Sequence, residues 1–118
     1  MSNIIDKQSA LHYQWGDQCD AWVLMNKPEL SVKIEKMPAG TQEQYHFHNE
    51  ARQFFYILSG TAVFHLNGEQ KIVYPTQGIF IEPTIPHFIA NGSAEELEFM
   101  VISQPSADQD RFPVEEDS

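Results

Sequence analysis

The chain has 118 residues, 42% hydrophobic and 20% charged, which describes one globular domain able to bury a core and argues against disorder. Seventeen Asp and Glu against seven Lys and Arg leave a formal net charge of −10, so nucleic acid and anionic lipid are not expected partners: phosphate binding needs neutralising cations. No apolar run approaches a membrane span, the start MSNIIDKQSALHYQWG lacks the pattern of a secretory signal, and the single Cys19 has no partner for an internal disulfide; a cytoplasmic protein is expected.

In chain order, residues 1–29 form an N-terminal segment with an early strand or pair around Trp15–Leu24, packing on the domain or on a partner subunit. Trp15 and Trp22 flank Cys19 there and read as core or interface residues. Leu30–Lys36 alternates apolar Leu30, Val32 and Ile34 with polar Ser31, Lys33 and Glu35, the period of a half-buried strand, and Met37–Thr41 is a turn. Strands are predicted at Glu43–His48, Gln53–Leu58, Thr61–Leu66, Glu69–Val73, Ile79–Ile81, His87–Ala90 and Leu97–Ser103, separated by Gly, Pro, Asn and Ser. Asn67-Gly68 is the strongest hairpin signal, because a type I′ turn needs positive φ at both central residues. No segment carries a sustained helical stripe, so the fold class is all-β, an antiparallel sandwich or barrel. Residues 105–118, with Asp108, Asp110, Glu115, Glu116 and Asp117, read as a solvated acidic tail with no binding role.

His46 and His48 are two residues apart, a spacing that on a strand puts both rings on one face about 7 Å apart at the backbone. Such rings can converge on one small ion. Gln53 lies an odd number of positions after His48, so the chain must turn at Asn49–Ala51 to bring it to the same face, and His87 opens a later strand. A core histidine is ordinarily a hydrogen-bonded structural residue, and spacing alone leaves both readings open.

The pattern Gly40-x5-His46-x-His48-x4-Gln53-x6-Gly60 resembles the first motif of the cupin superfamily, with Gln53 where most members carry glutamate. The segment Gly78-IFIE-Pro83-TIP-His87-FIA-Asn91 resembles the second, although Glu82 and Thr84 stand where proline and glycine are usual, Pro83 comes one place late and Gly78 two. The similarity covers roughly Leu30 to Gln104. It implies a cupin barrel over 30–104, an antiparallel double-stranded β-helix or jelly roll, and a homodimer. It also implies a divalent transition metal (zinc, nickel, iron, manganese or copper) inside one end, held by His46, His48, Gln53 and His87, against the alternative of a vestigial, metal-free pocket.

An amide in place of a carboxylate removes one negative charge from the ligand set and should leave a bound oxygen more strongly polarised. That favours Lewis-acid chemistry of the isomerase, lyase or cyclase type on a small oxygenated molecule, as in similar uronate-linearising and polyketide-cyclising cupins. A metal-dependent dioxygenase and a non-catalytic small-molecule-binding module are the alternatives. By strand parity Phe55 and Ile57 share the face of Gln53, and Ile89 that of His87, giving an apolar pocket wall or plain core; Phe54, Tyr56, Leu58 and Arg52 face away. Arg111 either reaches a ligand over the barrel mouth or pairs with Asp108. His65 reads as a sheet-face residue rather than a pocket one, and Tyr45 and Phe47 should pack on the side opposite the histidines or on a partner. The sequence singles out no general acid or base beyond metal-bound water.

Overall fold

The computed structural model describes residues 4–115, so Glu116 and Asp117 of the acidic run lie outside the described residues. These residues form eleven strands and no helix: β1 (Leu11–Trp15), β2 (Cys19–Lys27), β3 (Leu30–Met37), β4 (His46–Phe47), β5 (Arg52–Ser59) and β6 (Ala62–Leu66), then β7 (Glu69–Val73), β8 (Gly78–Ile81), β9 (His87–Ala90), β10 (Leu97–Gln104) and β11 (Phe112–Pro113). One sheet runs β1-β2-β3-β10-β5-β8 and the other β11-β4-β9-β6-β7, every pair antiparallel. This is the all-β double-stranded β-helix expected from the sequence.

The core lies between the sheets, where Phe64, Phe99, Ile57, Ile89 and Leu97 are fully buried and Phe55 meets Phe64 edge-on at 5.0 Å. Burying each such side chain is worth roughly 1.5–3 kcal/mol. Parity along β5 is as read from the sequence: Gln53, Phe55 and Ile57 are buried, while Arg52, Phe54 and Leu58 are exposed. The hairpin joining β6 and β7 turns at Asn67 (φ 48°) and Gly68 (φ 86°), with Leu66 opposite Glu69. Gly60 sits at φ 82°, and a Cβ there would stand 2.4 Å from the Glu96 carbonyl oxygen, so the β5–β6 connection has room for no side chain.

Strand β3 is inverted relative to the simplest reading of its alternation. Its polar residues Ser31, Lys33 and Glu35 face an interior cavity, and Val32 and Ile34 lie on the outer face, opposite Ile102 and Met100 of β10. Phe54 and Phe80 continue that outer apolar row. Period two alone marks two faces and does not say which is inside.

The predicted strand Glu43–His48 is regular only at His46–Phe47. Gln42 bridges Ala90, and the Glu43 N–H donates to the Ile89 carbonyl at 3.0 Å, but the Ile89 N–H donates to Glu43 Oε1 at 3.2 Å instead of to a main-chain carbonyl. A side chain thus interrupts the ladder. Asn91 staples the nearby turn: its amide nitrogen donates to the carbonyls of Met37 at 3.0 Å and Glu95 at 2.7 Å, and its oxygen accepts from Ser93 Oγ at 2.8 Å.

The C-terminal segment departs from the solvated tail expected of it. Ser106 N–H donates to the Pro28 carbonyl, Val114 N–H donates to the Tyr45 carbonyl, and β11 pairs with β4. Two of its acidic side chains are engaged, Asp108 with Lys33 Nζ at 3.3 Å and Asp110 with three backbone amides. Local charge counting could not see partners that belong to distant strands.

Candidate metal centre

His46 opens the short strand β4 and His48 follows it, His87 opens β9 directly opposite His46, and the three rings converge with ligand-capable nitrogens all within 4.8 Å of one another. Each ring is aimed by a main-chain carbonyl on its Nδ1: Gln44 for His46 at 2.6 Å, Asp110 for His48 at 2.6 Å and Ile85 for His87 at 2.8 Å. A carbonyl only accepts, so each Nδ1 carries the proton and each neutral ring presents the lone pair of Nε2 to the others. Burial lowers the basicity of all three, taking His46 to about 3 and His87 to about 4, with Arg111 adding to the effect in each and a neighbouring histidine in His46 and His87. The rings are therefore neutral near pH 7.

His87 Nε2 is buried and has no hydrogen-bond partner among the described residues. His48 Nε2 faces the Gln53 side-chain oxygen at 3.1 Å, while the Gln53 amide nitrogen donates to Ser103 Oγ at 3.0 Å. With His48 protonated on Nδ1, that contact brings two acceptors together and has no proton of its own to satisfy it. Three lone pairs within 4.8 Å of one another, with an amide oxygen 3.1 Å from one of them, are costly without a cation and favourable with one. The donor set fits a divalent transition metal. Imidazole nitrogens suit zinc, nickel, copper and iron alike, so the ligands do not name the ion.

Two backbone devices hold this geometry. The turn Asn49–Ala51 reverses the face of the chain between His48 and Gln53, as the odd spacing requires. Thr84, in the place where the resembling motif has glycine, adopts φ 71°, and its N–H hydrogen-bonds the His48 carbonyl. The left-handed turn survives although the residue that best suits it is absent.

The cluster opens into a cavity of about 460 Å³. Phe55, Phe99 and Val101 form its apolar wall, and Lys33, Glu35, Glu43 and Arg111 a charged one. Burial pushes the Glu43 carboxyl up to about 8 against the pull of Arg111, and the Glu35 carboxyl up to about 7 against Lys33 and Arg111. Arg111 Nη1 lies 3.6 Å from Glu43 Oε2, so Arg111 reaches the cavity and does not pair with Asp108. Trp15 also lines the cavity, its buried indole N–H without a partner among the described residues.

Of the other pocket candidates, Phe55 lines the cavity, whereas Ile57 and Ile89 point inward but are wholly buried in the packed core and contribute no wall. Parity gave them the right face; their depth along the strands puts them beneath the cavity. His65 stacks on Phe88 at 4.2 Å, away from the cluster, and Tyr45 meets the other side of the same aromatic group at 5.7 Å. Phe47 packs on Phe112 at 5.5 Å. Glu35, Glu43 and Asp110 escaped the sequence reading. The only sequence signal for Glu35 was the polar half of the β3 alternation.

The family model described as a cupin domain matches residues 33–103, and the chain belongs to that family. A curated relative, the oxalate-binding protein of Thermotoga maritima, is 31% identical over 77 residues. That match takes in 65% of this chain and 63% of the relative, less than two thirds of its length. Among solved structures, a predicted oxalate decarboxylase from Thermotoga maritima superposes with a TM-score of 0.80 at 20% identity, covering 88% of this chain and all of that one. The polyketide cyclase RemF from Streptomyces resistomycificus gives 0.82 at 17% identity, over 100% of this chain and 89% of that one. KdgF from a Halomonas species gives 0.81 at 15% identity, over 91% and 98%. At these identities the structures share the fold.

Proposed function

We propose that His46, His48, His87 and Gln53 hold one divalent transition metal ion, and that the protein uses it on a small oxygenated organic molecule by Lewis-acid chemistry of the isomerase, lyase or cyclase type. The observation that carries this reading is the convergence of three neutral imidazoles whose Nδ1 protons are all committed to carbonyls, leaving His87 Nε2 buried and unpaired. A metal ion there would polarise a carbonyl or carboxylate oxygen of the bound molecule.

The chain's own groups supply the rest. Gln53 keeps the ligand set uncharged. Arg111 offers a guanidinium to a carboxylate on the bound molecule. Glu43, its carboxyl pushed up to about 8 by burial, lines the same wall beside it. Phe55, Phe99 and Val101 give the cavity an apolar wall. A second reading, a module that binds a small carboxylate without transforming it, is favoured by the name of the oxalate-binding relative. We also infer a homodimer through the outer apolar row of Val32, Ile34, Phe54 and Phe80, where a second copy would cover side chains such as Phe54 (38% exposed) and Phe80 (47% exposed).

Elemental analysis of protein purified without a histidine tag tests the metal reading. One tightly held divalent ion per chain is expected, and His87→Ala should lose both the ion and any turnover. Wild-type protein that binds no zinc, cobalt or nickel at micromolar concentration would end it. Turnover separates the two readings: a carboxylate ligand recovered unchanged after prolonged incubation with loaded protein selects the binding module.

A further inference from the structure

We propose that Asp110, outside the matched family region, is the positioning residue of the metal centre: one residue ties the turn between two ligands and fixes the ring of one of them. This rests on the metal reading above. The Asp110 carboxylate accepts three backbone N–H groups, from Asn49 at 2.9 Å through one oxygen and from Glu50 at 2.8 Å and Ala51 at 2.9 Å through the other. Its main-chain carbonyl accepts the Nδ1 proton of His48 at 2.6 Å.

The three amides are those of the turn that lets Gln53 face the same way as His48. On a continuous strand, five residues apart means opposite faces, so this turn decides whether Gln53 can join the cluster at all. Its amides have no ladder to join, and Ala51 is only 1% exposed, so its N–H depends on a protein partner. A carboxylate accepting several N–H groups at once resembles an anion held by a backbone nest, here with the roles reversed: the anion is built in and the nest is the ligand-bearing turn. The main-chain bond acts on the same unit from the other side, selecting the tautomer in which His48 Nε2 is the free acceptor. The segment that carries Asp110 is itself anchored on both sides, by Ser106 to Pro28 and by β11 to β4. It therefore transmits a fixed position and not a loose contact.

The test compares wild type, Asp110→Ala and Asp110→Asn as full chains. Amide exchange on metal-free protein should show Asn49–Ala51 losing protection at least tenfold in Asp110→Ala, with β10 unchanged. Cobalt affinity, read by chelator competition, should fall about 10–100-fold, the range for removal of groups that orient metal ligands. The visible cobalt spectrum should change with it, which a general loss of stability would not produce. Asp110→Asn keeps one acceptor oxygen and should fall between the two; it carries the test if Asp110→Ala does not fold. Wild-type cobalt affinity and spectrum in either variant overturn the inference while leaving the metal reading intact. A wild-type chain that binds no cobalt overturns both.

Discussion

Arg111 Nη1 stands 3.6 Å from Glu43 Oε2, joining the C-terminal segment to the stretch that leads into His46. Neither side chain touches the histidine cluster directly, yet both line the cavity onto which it opens. The pair sets a guanidinium and an unusually weakly acidic carboxyl at one wall of an otherwise acidic protein.

The Glu43 carboxyl is pushed by burial from an ordinary value of 4.5 to about 8. A group whose folded form holds its proton more tightly stabilises the fold fully below pH 4.5, and that stability is lost as pH rises toward 8. Glu43→Gln cannot ionise. Between pH 5 and pH 8, urea unfolding of the metal-free protein should show the variant gaining roughly 2–4 kcal/mol over wild type. An equal difference at both pH values would mean that Arg111 keeps the carboxylate ionised in the fold.

Arg111→Ala should weaken binding of a small carboxylate to the metal-loaded protein about tenfold or more, the usual cost of removing one charge-assisted pair at about 1.4 kcal/mol per decade. Metal content should stay as in wild type, because Arg111 is not among the converging donors. Calorimetric titration with a dicarboxylate, beside elemental analysis, separates the two effects. Loss of metal together with loss of ligand would contradict the division of roles.

Gln53→Glu returns a negative charge to the cluster, beside His48 Nε2, which faces the present amide oxygen at 3.1 Å. Metal should be held about tenfold more tightly, since the added carboxylate compensates part of the ion's charge. Any Lewis-acid turnover should fall, because the ion then polarises its substrate less. Faster turnover in this variant would show that the uncharged ligand set is not what suits the chemistry.

Gly60→Ala should destabilise the barrel by several kcal/mol, roughly 2–4, because the added methyl meets the Glu96 carbonyl and the residue sits at φ 82°. Thr84→Gly should act in the opposite sense, by at most about 1 kcal/mol, relieving a β-branched residue at φ 71°. Thermal unfolding of both variants checks the pair. A neutral Gly60→Ala would require the β5–β6 connection to move.

Much of this protein was determined by short-range pattern. The i, i+2 spacing of His46 and His48, the odd step to Gln53, the Asn67-Gly68 turn and the inward parity of Phe55 all follow from the two-residue period of a strand and the φ demands of a hairpin. Those rules act between neighbours, so a sequence displays them.

Which face of β3 looks inward, how deep Ile57 and Ile89 lie, and what Asp108 and Asp110 hold were decided only when distant strands came together. Glu43 and Arg111 became partners in the same way. Burial then altered what these groups are: an exposed Glu43 would have the ordinary acidity of a carboxyl, and burial beside β9 pushes it up to about 8. Desolvation and long-range hydrogen bonds depend on the whole surroundings of a side chain, and no local window of sequence contains them.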